Sequence, residues 1–102
     1  MRIVALVGDL MDRSRLSAAL GDVTFAANRA ACEDADVVVI DLGRHAALVT
    51  AVRAAAPSAW LVAYGAHVDD DVLARAAADG ADVVLARSRF FRDPGGAVTR
   101  PV

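Results

Sequence analysis

Hydrophobic positions along this chain fall into five short runs, with alanine-rich stretches of helical spacing between them. The most compact run is Val37-Val38-Val39-Ile40, four β-branched residues that end on Asp41. A continuous apolar run this short fits a strand covered on both faces, the condition of a central strand in a parallel sheet. Polar chemistry then begins where the strand stops. Open α/β sheets bind ligands outside the carboxyl ends of their strands, where strand order reverses. The other strand ends are therefore expected to bring their loops to Asp41.

The remaining runs follow the same logic. Ile3 to Val7 reads as the first strand, closed by Gly8-Asp9, and Met11 to Leu20 as a helix with Leu16 and Leu20 on one face. Gly21-Asp22 turns into a second strand, Val23 to Ala26, and Asn28 caps a brief helix through Glu33. Beyond Asp41, Ala46 to Ala56 carries Leu48, Val49, Val52 and Ala56 on one helical stripe, stopped by Pro57-Ser58. Trp60 to Tyr64 is the fourth strand, with Trp60 and Tyr64 as packing residues. Asp69 is placed to cap a helix over Val72 to Ala78, Asp70 and Asp71 suit its dipole, and Gly80 ends it. Val83 to Ala86 is the fifth strand.

Strands alternating with helices imply right-handed βαβ crossovers and an α/β fold. The expected architecture is flavodoxin-like, a parallel five-stranded sheet in the order 2-1-3-4-5 with helices on both faces. Its last helix is truncated or missing, because Pro94, Gly95-Gly96 and Pro101 leave room only for a helical turn over Ser88 to Arg92. Residues 1–92 thus form the domain, and 93–102 a flexible C-terminal tail. Phe90 and Phe91 either pack back over the uncovered sheet face or join a second subunit, and the exposed apolar area favours a homodimer.

Composition narrows the function classes. The chain has 102 residues, 57% of them hydrophobic, but about a quarter are alanine, so the core is shallower than the percentage suggests. A net charge of -2 argues against nucleic acid or an anionic membrane as partner. A lone cysteine, Cys32, excludes an internal disulfide and a cysteine zinc cluster, and reads as a small buried hydrophobe. The apolar runs are too short for a signal-peptide core or a membrane span, so a cytoplasmic location is expected.

Candidate chemistry gathers at one edge: Gly8-Asp9, Asp41, Gly65-Ala66-His67 and Arg87-Ser88 each follow a strand directly. Asp9 and Asp41 could hold Mg²⁺ through oxygen ligands, and Arg87 could neutralise charge or clamp a phosphoryl group. Equally, both carboxylates could be ordinary loop starts, one of them paired with Arg87. His67 could serve as a hydrogen-bonding or pH-sensitive partner of Asp41, or as a metal ligand, or lie exposed and inert; the exposed reading applies more strongly to His45. No dinucleotide-binding glycine spacing and no nucleophilic triad can be assembled.

With these residues in view, Met1 to Phe91 resembles the receiver domain of two-component response regulators, the CheY-like family. The features that carry the resemblance are Val38-Val39-Ile40-Asp41, Gly8-Asp9 after the first strand, and Ala76-Ala77-Ala78-Asp79-Gly80-Ala81-Asp82. The resemblance implies that Asp41 is the phospho-acceptor and that Asp9 is the second of two Mg²⁺-binding acids. Gly8 stands where the first acid is expected, Gly65 where the family has Ser or Thr, and Arg87 where it has Lys. Leu42-Gly43-Arg44-His45 is shorter than the family's loop and lacks its Pro and Asp-Gly turn, so the third helix is expected about four residues early. A lost metal acid weakens Mg²⁺ binding, and a lost hydroxyl removes the hydrogen bond through which phosphate would bias a two-state loop.

The sequence thus reads as an atypical or pseudo-receiver, a stand-alone signalling domain rather than an enzyme. It would act on a protein partner, a histidine kinase or a downstream signalling protein. A small enzyme or ligand binder using Asp9, Asp41, His67 and Arg87, and a structural dimerisation module, are the alternatives.

Overall fold

The structure, a computed structural model, describes residues 1–101. Five parallel strands, β1 (Ile3–Leu6), β2 (Thr24–Phe25), β3 (Val37–Asp41), β4 (Trp60–Gly65) and β5 (Val83–Ala86), pair in the order β2-β1-β3-β4-β5. This is the flavodoxin-like arrangement expected from the sequence. β3 is buried along its whole length, as its unbroken β-branched run requires. The register sets Asp41 beside Tyr64 and Gly65 beside Ala86, so the chain leaves β3, β4 and β5 at nearly one level.

Alternate strand residues feed two cores. One face packs Val4, Leu6, Val38, Ile40 and Leu61 under α2 (Leu42–His45), α3 (Val49–Ala55) and α4 (Asp70–Ala78). The other packs Val37, Val39, Val62 and Tyr64 under α1 (Leu10–Leu20), α5 (Arg87–Arg92) and α6 (Pro94–Ala97). Cys32 is buried in the first core at the end of a 3-10 turn whose cap is Asn28, the residue expected there. Gly80 adopts φ +121, and a Cβ there would lie 2.7 Å from Arg53 Cγ. Arg53 needs that space, since it donates to the Gly80, Ala56 and Ala59 carbonyls and to Asp82.

Four local expectations change. β2 shortens to two residues. Asp69 holds the N-cap position of α4, but its side chain makes no capping bond. The helical path after β3 begins at Leu42 with no intervening loop, through α2 and a 3-10 turn into α3, rather than at Ala46.

The largest change concerns the segment read as a tail. Asp93 caps α6 by accepting from Gly96 N at 3.0 Å, Pro94 stands in the first turn where its missing N–H costs nothing, and a Cβ at Gly96 would collide with the Asp93 carboxylate. The two glycines and the proline thus build a helical turn instead of preventing one. Beyond it Val98 is buried, and Trp60 Nε1 donates to the Ala97 carbonyl at 3.0 Å. Phe90 is fully buried and stacks on Tyr64 with ring centroids 4.7 Å apart. The bare sheet face on which the homodimer expectation rested is covered by the chain itself.

Candidate functional site

A cleft of about 320 Å³ opens at the carboxyl ends of the strands, lined by Asp9, Asp41, Gly65 and Arg87 among others. Four positions singled out in the sequence therefore meet, as the parallel topology requires. His67 does not join them; it is exposed and outside the lining. His45 ends α2, half-buried.

The immediate start of α2 shapes the cleft. Because helix follows strand without a loop, Asp41 becomes the N-cap of α2, and its Oδ1 accepts from Gly43 N at 2.9 Å. The next residue, Leu42, folds over the end of β4: a Cβ at Gly65 would lie 3.3 Å from both Leu42 Cβ and Leu73 Cδ2. One turn on, Arg44 lies against Gly8, where a Cβ would meet its Cδ and Nη1 at 3.5 Å. The short loop thus sets Leu42 tightly against Gly65 and brings Arg44 into contact with Gly8. Leu42 leaves little room for a side chain at position 65, and the Arg44 guanidinium lies beside the position where the resemblance calls for an acid.

Asp9 is likewise engaged. It is the N-cap of α1, its Oδ1 accepting from Asp12 N at 3.0 Å. Among the described residues no group of three or more His, Cys, Asp or Glu side chains is disposed to hold a metal ion.

Arg87 is committed to Asp12, a residue the sequence reading passed over. Asp12 is 0% exposed in the first turn of α1. Its Oδ2 accepts from Arg87 Nη1 at 2.6 Å and from the Tyr64 hydroxyl at 2.9 Å, while Oδ1 accepts from Arg87 Nη2. The guanidinium carbon lies 5.0 Å from the centroid of Phe91 and 5.8 Å from that of Tyr64, so the fork is held by charge and by aromatic faces together. The signal for Asp12 was its position, one helical turn after Asp9, but its partners lie 52 and 75 residues away.

Protonation follows from this geometry. Burial alone would raise the Asp12 pKa, but the hydrogen bonds from Arg87 and Tyr64 outweigh it and hold the carboxyl below its ordinary range. Burial pushes the Tyr64 phenol far above its usual value, and the charges of Asp41 and Asp12 push it further. Its hydrogen bond to Asp12 raises Arg87 in turn. The result is a charged, fully satisfied pair beside a neutral phenol. Burial also raises the Cys32 thiol, which accords with a packing role.

No family model matches the chain, and no curated protein matches it in sequence. Solved structures do match in fold. A response regulator protein from Burkholderia pseudomallei, crystallised with a phosphorylated aspartic acid, calcium ion and citrate, aligns with 96% of this chain at a TM-score of 0.81 and 17% identity. The chain spans 66% of that protein's length. A CheY-like protein (tadZ) from Pseudomonas aeruginosa aligns with 86% of this chain and 87% of its own, at a TM-score of 0.69 and 25% identity. A putative pilus assembly-related protein from Burkholderia pseudomallei aligns with 98% of this chain and 92% of its own, at 0.70 and 15%. The chain has the fold of response-regulator receiver domains, the CheY-like fold. Among the described residues no helix is long and apolar enough to cross a membrane.

Proposed function

We propose that this chain is a pseudo-receiver: a receiver-fold signalling domain that recognises a protein partner and carries no phosphoryl group on Asp41. The observation that supports this most is the start of α2 at Leu42, which turns Asp41 into a helix cap and closes the space beside Gly65. Phosphoryl transfer needs charge neutralisation at the acceptor, supplied in most such sites by a metal and fixed cations. Of the two arginines in the cleft lining, Arg87 is spent on Asp12 and Arg44 lies against Gly8.

The donor set does not fit a resident Mg²⁺. Asp9 and Asp41 are the carboxylates in place of the two expected acids plus acceptor, Asp9 caps α1, and the Arg44 side chain lies against Gly8. A hard cation with near-octahedral demands gains little from two such groups. The fold occurs in proteins named for pilus assembly as well as in response regulators. On this reading the domain is not an enzyme, and its output is occupancy by a partner.

The test is incubation with acetyl phosphate and Mg²⁺, followed by intact-mass measurement. Unchanged mass is expected. A phosphoryl mass increment that disappears in Asp41→Asn would overturn the proposal and restore an active receiver.

A further inference from the structure

We infer that copies of this domain associate head to tail, loop 68–71 of one copy seating in a basic groove between α1 and the α5–α6 junction of the next. The inference goes beyond the proposed function, and none of the residues lining the groove lines the cleft at the strand ends.

The groove has a volume of about 400 Å³ and is lined by Arg15, Ala18 and Ala19 of α1, Phe91 of α5 and Pro94 of α6. Its lining is apolar except for Arg15, whose guanidinium carbon lies 5.5 Å from the centroid of Phe91. Among the described residues Arg15 makes no ion pair. Nor is it alone. α1 and α5 carry Arg13, Arg15, Arg87, Arg89 and Arg92 against the single acid Asp12, and Arg87 takes that acid. Arg89 and Arg92 are exposed, on the helix that supplies Phe91, and have no ion-pair partner among the described residues. A chain of net charge -2 thus presents one strongly positive face, with a small apolar groove in it.

The complement of that groove is on the same molecule. Val68 is 72% exposed, and Asp69, Asp70 and Asp71 follow it. Asp69 stands at the N-cap of α4 without making the capping bond, and none of the three aspartates has an ion-pair partner among the described residues. An apolar side chain followed by free carboxylates is what an apolar groove edged by free guanidinium groups selects. The groove belongs to the sheet face covered by α1, α5 and α6, whereas α4 packs on the opposite face, so the two surfaces meet only between copies. Charge also sets the geometry. Groove against groove, or loop against loop, would oppose like charges, so a twofold dimer is disfavoured and the contact is heterologous, repeating from copy to copy. In it Val68 covers the alanines and Pro94, and the aspartates behind it reach Arg15.

The test is sedimentation velocity of the full chain over a concentration series reaching about 1 mM, in about 20 mM and about 500 mM salt. The mean sedimentation coefficient should climb with concentration at low salt, and the climb should vanish at high salt. Val68→Ser should weaken association about threefold. Arg15→Glu, which spoils the groove and leaves the loop, should weaken it at least about tenfold, as should Asp70→Asn with Asp71→Asn, which spoils the loop and leaves the groove. All are surface changes, and circular dichroism verifies that each variant is folded. Each of the last two alone should stay monomeric. Mixed in equal amounts they should form one-to-one heterodimers and nothing larger, because the mixture holds one intact groove and one intact loop per pair. A wild type that stays monomeric at about 1 mM in low salt would overturn the inference. So would a closed wild-type dimer, association indifferent to salt, or a mixture that sediments as its components do. A monomeric wild type whose groove binds polyglutamate would overturn it too, and would assign the groove to a different, acidic protein.

Discussion

Arg87 forms its ion pair with Asp12, from the first turn of α1, and not with Asp41 at the end of the central strand. The pair is asymmetric, because the Asp12 side chain is wholly buried while that of Arg87 is 44% exposed. Loss of Asp12 lets the guanidinium turn to water. Loss of Arg87 strands a carboxylate with only the Tyr64 hydroxyl.

Arg87→Met should therefore cost about 3 kcal/mol, and Asp12→Asn about 1–2 kcal/mol. Arg87→Lys should fall between wild type and Arg87→Met, since an ammonium neither forks nor stacks as a guanidinium does. Urea denaturation measures all three. Equal costs for Arg87→Met and Asp12→Asn would mean that burial of Asp12 does not govern the pair.

Stability should fall at both ends of the pH scale, for opposite reasons. Asp12 is held below its ordinary 3.8, so its contribution is complete above that value and is lost as pH falls through the lower folded-state value. Tyr64 is held above its ordinary 10.0, so its contribution is complete below 10.0 and is lost as pH rises past it. In Arg87→Met burial dominates at Asp12 and its pKa rises, so protonation of Asp12 then favours the folded state and the cost of Arg87→Met should shrink as pH falls. Urea denaturation of both proteins followed by circular dichroism across a pH series checks this, and a cost of Arg87→Met that stays constant or grows toward acid pH would contradict it.

Gly65→Ser should destabilise by about 1–3 kcal/mol, because the new side chain is pressed between Leu42 and Leu73. Combined with Leu42→Ala, the serine should cost less than it does alone. Thermal denaturation of the four proteins in this cycle measures the coupling. Simple additivity would show that Leu42 and position 65 do not compete for space.

Truncation after Arg92 should lower stability by about 2–4 kcal/mol, through loss of Val98 burial and of the bond from Trp60 Nε1 to Ala97. The shortened chain should also self-associate through the apolar surface it uncovers, which sedimentation would detect. Unchanged stability and size would return residues 93–102 to the status of a tail.

What the sequence revealed, and what it hid, divides by range of interaction. The strands at Val37–Asp41 and Val83–Ala86 were legible to the residue, because a short hydrophobic run bounded by charged residues is a local signal. Parallel pairing followed from alternation, and the strand order from the arrangement that five such units adopt in flavodoxin-like sheets. The convergence of Asp9, Asp41, Gly65 and Arg87 followed from strand order. Asp12 stayed hidden because an aspartate in the first turn of a helix is ordinarily an exposed partner of the dipole, and nothing nearby marks it as buried. α6 stayed hidden because Pro-Gly-Gly carries low helix propensity, which the Asp93 cap and the packing of Val98 override.

The direct passage from β3 into α2 has a consequence for how such a domain could change over time. A threonine at position 65 would meet Leu42 and Leu73 in its way, so a hydroxyl there and the present start of α2 exclude one another. Placing a hydroxyl beside Asp41 would call for lengthening the backbone after Asp41 before the side chain at position 65 is exchanged.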